Sequence, residues 1–529
     1  MDRITVFLLI LLLAILASHL IKRNIARYAL PPGPPGFPII GNALQMPLEK
    51  EWRVLADWAM KYGEIMHLSV LGQHIIVLSS ADVITELLEK RSANYSDRPR
   101  FPMAGEMIGY SDYISITPYG TYHREGRKLM MNALAARKTT GISDLQESQA
   151  LQLCRRLLDT PADFRSHIRW FVCSTAFEFI YGIHVDRFDD PIIQSVETVA
   201  EDFSRTVKPG AFFMDTFPFL KYVPDWFPGA RFKTIAKECR ERLVFARDTP
   251  YDSVNMRIKE GVATPCFAAN LIENYPNPSP EEDHMHRCTA TSFYISGADT
   301  TASAIGTFFL MMTLHQDVQR KAQAELDSVL EPGTLPKFND RSKLPYIDAV
   351  IQEIHRCGTV VPLALPHRTT QEDMYEGYRI PAGATVIANS WYYSLHSGLQ
   401  ERSSNSRAVL HDPLLYPEPE TFSPERYLSK AAVQHQNPDP RAFAFGYGRR
   451  TCPGRLLADD SMFITVATVL ASFNITEAIG MDGVPIKPDA NYLGGALSHP
   501  APFECRITPR SPEVARLITT ASATRDVIG

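Results

Sequence analysis

The sequence predicts a mainly α-helical protein with a small β region, preceded by one N-terminal transmembrane helix. Three observations carry this expectation. The chain opens on an almost unbroken apolar run, Ile4 to Ile21. Helical hydrophobic periodicity dominates from about Ser143 to Ala246 and returns after Cys452. One helical stretch runs from Ser279 to about Leu314, whereas the clearest strand signal is the short apolar run His74 to Leu78.

At 1.5 Å per residue the Ile4 to Ile21 run is roughly 27 Å long, enough to cross a bilayer core. Lys22, Arg23 and Arg27 follow it and favour keeping the remainder on the cytoplasmic side. A cleaved signal peptide is the alternative; the basic cluster stands where a small-residue cleavage site would be needed. Pro31-Pro32-Gly33-Pro34-Pro35-Gly36-Phe37-Pro38 cannot be helix, because proline fixes φ and restricts its predecessor. The expected organisation is therefore an anchor at 1–21, a basic and proline-rich linker at 22–41, one large catalytic domain at 42–508 and a polar tail at 509–529.

The bulk numbers exclude several classes. With 45% apolar and 21% charged residues, the 529-residue chain has an ordinary globular composition. A net charge of −5 gives no basic footprint for nucleic acid. Its eight cysteines are scattered with no C-x-x-C pair, which argues against an all-cysteine zinc site and a disulfide scaffold. No fixed-period repeat is visible.

Within the domain, Phe212 to Phe227 is rich in aromatics and prolines. Its aromatics either pack on the core or form a membrane-dipping or substrate-facing loop. The long helix has a clear start. Ser279 can cap it, Pro280 suits the first position, and Glu281, Glu282 and Asp283 favour its positive end. Its middle is apolar on all sides, but Asp299 with Ser296, Thr300, Thr301, Ser303 and Thr307 makes a membrane span costly. The expectation is a helix buried in protein. His284, His286 and Cys288 resemble metal ligands only in sequence, since His286 lies two residues from each of the others and cannot share their face.

Phe445-Gly446-Tyr447-Gly448-Arg449-Arg450-Thr451-Cys452-Pro453-Gly454 carries the sharpest chemistry. The glycines permit a tight loop and close approach to a flat ligand. An apolar helical stripe follows, so Cys452 stands at a helix N-terminus beside Arg449 and Arg450, two features that favour thiolate. The residues alone leave two uses open, a nucleophile or a haem ligand.

Phe445, Gly448, Arg450, Cys452 and Gly454 match the haem-binding signature F-x-x-G-x-R-x-C-x-G, and here the chain resembles the cytochrome P450 family. Other segments resemble it in the family's order. Glu353 and Arg356 form its E-x-x-R, three residues apart on one helix face. Pro424-Glu425-Arg426-Tyr427 is similar to its P-E-R-[FWY] element, which implies a structural Glu353–Arg356–Arg426 cluster. Ser296-Gly297-Ala298-Asp299-Thr300-Thr301 resembles its oxygen-activating segment. Gly297 leaves room beside the helix, and a hydroxyl there can bond back one turn. His123 and Arg127 take the positions of a W-x-x-x-R pair, with histidine in place of tryptophan and Arg124 as an alternative contact. His367 and Arg450 also match propionate-binding positions. The forms FGYGRRTCPG and WFPGARFK are most like fungal secondary-metabolism members.

The resemblance implies the mostly helical cytochrome P450 fold and haem b with Cys452 as axial iron ligand. The implied reaction inserts one oxygen atom from O2 into a mainly apolar small molecule, Asp299 and Thr300 supporting proton delivery. The stretch after Cys452 is too short for flavin and nicotinamide domains. Electrons are therefore expected from a separate NADPH–cytochrome P450 reductase, with cytochrome b5 as an optional second donor. The expected place is the endoplasmic reticulum membrane, single-pass, with the catalytic domain cytosolic. Two alternatives use the same fold: an isomerase or dehydratase needing no external electrons, and a non-catalytic haem-binding protein. Retention of Asp299-Thr300 favours the monooxygenase.

One segment interrupts the likeness. Between Trp391 and Ala408 stand sixteen residues, YYSLHSGLQERSSNSR, without strand alternation or a core-facing period. Joining Asn389-Ser390-Trp391 to Ala408-Val409-Leu410-His411-Asp412-Pro413 restores the uninterrupted pattern. The segment reads as forty-eight retained intronic nucleotides, against the rival of a tolerated surface loop. Sequencing the mature transcript is expected to show those codons absent; their presence makes the segment a genuine loop.

Overall fold

The protein is described here from a computed structural model that covers residues 30–47, 49–135, 141–187, 189–208, 210–391, 409–411, 415–428 and 437–526. The expected anchor and the sixteen-residue insertion lie outside these residues. No helix among the described residues is long and apolar enough to cross a membrane.

The chain forms two units from interleaved segments, so no linker separates them in sequence. The smaller comprises Met1–Pro99, Leu363–Leu414 and Gly446–Arg450. Helix α1 (Glu51–Tyr62) buries Leu55 and Ala59 against Met66, Leu68 and Val77 of a four-stranded sheet. Strands β1 (Ile65–Val70) and β2 (Gln73–Leu78) form a hairpin. Its two turn residues, Leu71 and Gly72, both have positive φ, the handedness that matches strand twist. The other strands of this unit are β3 (His367–Arg368), β4 (Asp373–Tyr375), β5 (Tyr378–Ile380) and β6 (Thr385–Ala388). β2 pairs in parallel with β6, and β6 pairs antiparallel with β3, which places His367 opposite Val386. The proline-rich stretch, expected as a linker, is extended but lies against β1. His67 N donates to Pro32 O at 2.9 Å, and Asn42 N donates to Ser69 O at 2.5 Å. Extended backbone that cannot be helical still carries acceptors that a strand edge can use.

The larger unit comprises Arg100–Pro362, Leu415–Phe445 and Thr451–Gly529. Its principal helices are α2 (Thr121–Ala135), α3 (Ile142–Asp159), α4 (Phe164–Tyr181), α5 (Pro191–Thr206), α6 (Arg231–Lys259), α7 (Phe267–Asn274), α8 (Pro280–Leu314), α9 (Gln316–Val329), α10 (Pro345–Cys357), α11 (Arg455–Ser472) and α12 (Pro512–Asp526). A small sheet in the order β8-β7-β9 joins β7 (Phe473–Ile479), β8 (Pro485–Ile486) and β9 (Cys505–Pro509).

Helix α8 is the axis of this unit. It is 35 residues long, about 50 Å at the usual rise. Ser279 Oγ accepts from Glu282 N at 3.2 Å while Glu282 Oε2 accepts from Ser279 N at 2.8 Å, a complete capping box. Phe308, Phe309, Leu310 and Met312 are buried, and Tyr294 meets Phe177 of α4 edge-on at 4.7 Å. Three of the buried hydroxyls on α8 turn back on their own helix. Ser292, Thr307 and Thr313 each donate to the carbonyl four residues earlier, so an apolar environment costs them no unsatisfied group.

One expectation is refined: the segment expected as a polar tail forms α12, which packs on α3 and buries Ile518. Its polar composition hid a narrow apolar face. Of the two readings left open for the 212–227 segment, five of its aromatics fit the exposed loop: Phe213 and Trp226 at 81%, with Phe219, Tyr222 and Phe227. Replacing Ser279 by alanine removes the cap from the helix on which the unit is built. The expected loss is about 1 kcal/mol, read as a lower urea midpoint.

Candidate functional site

Cys452 ends a turn in which its N–H donates to Phe445 O at 2.8 Å. Helix α11 begins three residues later with Gly454 as its N-cap. Among the described residues it is the one exposed cysteine. The sulfur nevertheless sits in enough protein that desolvation raises its thiol above the ordinary range. Hydrogen bonds from the Gly454 and Arg455 amides, with the charges of Arg127 and Arg455, oppose that rise. The helix end expected to favour thiolate does so through those two amides, while the cations that act on the sulfur are Arg127 and Arg455 instead of Arg449 and Arg450. Burial wins, and Arg450 spends its Nε on Ser96 O at 2.7 Å. A cation that coordinates the sulfur reverses the balance, since a metal-bound thiol is deprotonated.

The loop geometry explains the glycines. Gly446 and Gly448 adopt φ of 75° and 55°. A Cβ on Gly448 would fall 2.2 Å from Leu88 O, so no side chain fits. Gly448 N also donates to Glu89 Oε1 at 2.8 Å, and Tyr447 OH bonds Ser390 Oγ at 2.6 Å.

In the smaller unit three basic side chains gather around the Tyr95–Ser96 backbone. His367 Nδ1 meets Tyr95 O at 2.7 Å, Arg450 binds Ser96 O, and Arg98 NH1 donates to Leu365 O and Pro366 O, each at 2.7 Å. All three are buried. Desolvation, then the Arg450 charge, pushes Arg98 well below its ordinary range. Desolvation, then Arg98, lowers His367 to about 3. Two buried guanidinium groups beside a neutral imidazole are a donor set suited to carboxylates. In the larger unit His123 is buried on α2 against Tyr119, ring centroids 5.4 Å apart. Arg127, one turn on, is lowered by desolvation and raised by the Cys452 and Tyr119 charges. Arg124 is exposed, donates to Thr121 Oγ1 and lies over the Tyr119 ring at 5.9 Å.

The Glu353–Arg356–Arg426 cluster forms as the spacing suggests. Arg356 Nε and NH2 each donate to Glu353 at 2.8 Å, and both side chains are 0% exposed. Arg426 Nε reaches Glu353 Oε1 at 3.1 Å. Tyr427 OH and Ser423 N donate to the same carboxylate, while Arg356 and Arg426 bind the carbonyls of Pro419, Pro417 and Thr421. A second network was not legible in sequence. Arg341 and Arg441 both bind Asp348 and Asp459, holding α10, α11 and the approach to Phe445 together. His355 packs edge-on against Phe445 at 5.3 Å.

On α8, Thr300 Oγ1 donates back to Ser296 O at 2.8 Å. A Cβ on Gly297 would meet nothing within 4 Å. Asp299 does not bond Thr300. Its Oδ2 lies 3.2 Å from His499 Nε2 and its Oδ1 3.9 Å from Arg169 NH2. Burial raises this carboxyl, but the His499 bond and the His499 and Arg169 charges outweigh it and hold the group below its usual value. His284 meets Asp112 at 2.9 Å and His286 faces Tyr275. The two histidines thus leave α8 in different directions.

A lone thiol on an amide-lined turn, buried cations and an acid–alcohol segment on a long central helix define a haem-thiolate class. The family model "Cytochrome P450" matches residues 31–398 and 403–505, and the chain belongs to that family. The unmatched residues 399–402 fall inside the sixteen-residue insertion. Cytochrome P450 monooxygenase 208 of Postia placenta is 39% identical over 518 residues, covering 98% of this chain and 97% of that protein. Cytochrome P450 monooxygenase claR of Ampulloclitocybe clavipes is 38% identical over 96% of this chain and 91% of its own. Tryptamine 4-monooxygenase of Psilocybe cyanescens is 38% identical over 97% and 99%. The protein is a haem-thiolate monooxygenase whose cofactor is haem b. Cys452 supplies a donor matched to iron, and the buried cations fit the two carboxylates of that cofactor.

His355 supplies a pH prediction. Desolvation holds it neutral and lowers its pKa from 6.5 to about 4. Between those values the unfolded chain binds a proton that the folded chain refuses, so stability falls as pH drops through that window. The loss reaches about 3 kcal/mol for a shift of this size. His67 and His367 act in the same sense. His355→Leu should therefore flatten, without abolishing, the acid limb of urea midpoint against pH.

Proposed function

We propose that the protein oxygenates a mainly apolar small molecule in fungal secondary metabolism, using electrons from an NADPH–cytochrome P450 reductase, with cytochrome b5 as an optional second donor, on the endoplasmic reticulum membrane. The single observation that carries the reading is Cys452, exposed on a turn whose amides and cations are directed at its sulfur. Bound there, haem supplies dioxygen activation; everything else is the task of this chain's side chains. By the family resemblance Cys452 would hold the haem iron through its sulfur, and His123, Arg127, His367 and Arg450 would bind the propionates. Arg98 joins them because it shares the buried cation cluster of His367 and Arg450. The Glu353–Arg356–Arg426 cluster fixes the backbone at 417–423.

Asp299 and Thr300 handle protons. Thr300 is already committed to its own helix as a donor, which leaves its oxygen able to accept. Asp299 is a carboxylate near neutrality and must receive each proton that it passes on. An apolar substrate is supported by Phe101, Phe212, Ala302 and Val360, which are partly buried against the main apolar cluster of the larger unit. Membrane association is supported by the Ile4 to Ile21 run and by the exposed Phe213, Phe219, Tyr222 and Trp226, since clustered exposed aromatics mark interaction surfaces. The name of the Psilocybe cyanescens relative makes tryptamine-type compounds a sensible first panel.

The test is a reduced carbon-monoxide difference spectrum of the purified full-length chain. The red-shifted Soret band of sulfur-ligated haem is expected. Cys452→Ala should abolish it. Cys357→Ala should not, because burial holds that thiol up at about 12 beside Arg356. A band that survives Cys452→Ala sinks the reading. Asp299→Asn should keep the band and slow product formation by roughly a hundredfold.

A further inference from the structure

Asp299 stands 200 residues from His499 in the chain, yet the two side chains bond. This contact is built by more than one pair. Residues 299, 303 and 306 share one face of α8. Ser303 Oγ donates to Ser498 O at 2.6 Å, and a Cβ on Gly306 would meet Pro500 Cγ at 3.7 Å. The tripeptide Ser498-His499-Pro500 therefore lies along the helix with His499 opposite Asp299. A hairpin holds it there: Leu493 N donates to His499 O and Ala501 N to Asn491 O, each at 2.8 Å, while Ser498 N donates to Val360 O at 2.8 Å.

We propose that His499 is the outer member of a proton relay whose inner member is Asp299. The inference rests on the proton role assigned to Asp299. Of Asp299's two partners, Arg169 cannot serve. A guanidinium does not release its proton, and its NH1 is already bound to Glu197 at 2.6 Å. Glu197 in turn accepts from Cys173 Sγ. Arg169 is an electrostatic holder. His499 is different, because an imidazole can donate a proton from one ring nitrogen and accept one at the other. Its side chain is 26% exposed against 15% for Asp299, so it stands between solvent and the carboxyl group.

The proton balance closes. A carboxylate only accepts, so the hydrogen bond assigns the proton of this pair to His499 Nε2. Nε2–H transfers its proton to Asp299 Oδ2 as Nδ1 takes one from water. One proton has moved inward, the carboxyl is neutral and the imidazole is again neutral. Loss of the Nδ1 proton to water and protonation of Nε2 reset the ring. Oxygen insertion with release of water consumes two protons per turnover, so the relay is used in every cycle.

Two variants separate relay from positioning. His499→Gln keeps an N–H near the place of Nε2 but cannot pass a proton; His499→Ala removes both. The full-length enzyme is reconstituted with reductase, and NADPH oxidation is followed in H2O and D2O with no organic substrate added. Both variants should slow it about tenfold and raise its solvent isotope effect, the low end of general-acid effects because water replaces part of the path. Both should keep the carbon-monoxide band. Independently, 15N-histidine spectra of the diamagnetic reduced carbon-monoxide form, assigned with His499→Gln, should show Nε2–H at His499, and Asp299→Asn should shift that resonance. Wild-type behaviour of His499→Gln reduces His499 to a positioning residue and overturns the proposal. So do unchanged rates in both variants, or an Nδ1–H tautomer. A wild-type chain without the carbon-monoxide band instead overturns the monooxygenase reading.

Discussion

A thiol becomes an anionic ligand only where its surroundings compensate a charge taken out of water, and at Cys452 burial and the groups that oppose it pull in opposite directions, with burial the stronger. Desolvation pushes the proton onto sulfur; two amides and two cations push it off. Each pKa unit of that balance is worth about 1.4 kcal/mol, so small displacements of the Gly454 and Arg455 amides matter. The sulfur must therefore be mounted on backbone that does not move. Positive φ at Gly446 and Gly448 and the Cys452 N–H to Phe445 O bond provide part of that mount.

The rest comes from buried charge. Glu353 and Arg356 have no solvent exposure, and their carboxylate and guanidinium are bonded on nearly every side. Such a pair seldom adds net stability over apolar residues of equal size, because desolvation cancels the attraction. What it does is geometric. A bidentate guanidinium fixes direction as well as distance, and here the remaining donors fix the carbonyls of Pro419, Pro417 and Thr421. Arg341 and Arg441 repeat the device between α10 and α11. The chain approaching Phe445 is thus placed by oriented charges, which tolerate less sliding than an apolar contact.

What the sequence disclosed follows from this arrangement. Interactions within one turn are written as spacing, and they were legible: Ser279 with Glu282, Glu353 with Arg356, Thr300 with the carbonyl of Ser296. The strand at His74 to Leu78 and the helix after Cys452 were legible for the same reason. Interactions between distant segments leave no such mark. Arg98 joining His367 and Arg450, Arg341 with Asp459, and His499 with Asp299 join residues that nothing local connects. One feature had a readable signal that went unused. Val514 and Ile518 are four apart in the segment taken for a polar tail, a minimal apolar stripe. At Cys452 the sequence shows the charge and the helix end that favour thiolate, but not the burial that opposes them.

Helix α8 shows how the buried scaffold and the reactive segment are kept distinct on one element. The buried hydroxyls of Thr291, Ser292, Thr307 and Thr313 are satisfied by their own backbone, which makes them inert filling. Around Ser296 to Thr300 the same back-bond occurs, but the side chains are no longer sealed: Ser296 is exposed, and the space beside Gly297 is open. Asp299 is held away from Thr300 by His499 and Arg169. A carboxylate offers about four acceptor sites, so the bond from His499 leaves Asp299 able to accept a second donor, which is what the proton role proposed for it with Thr300 requires.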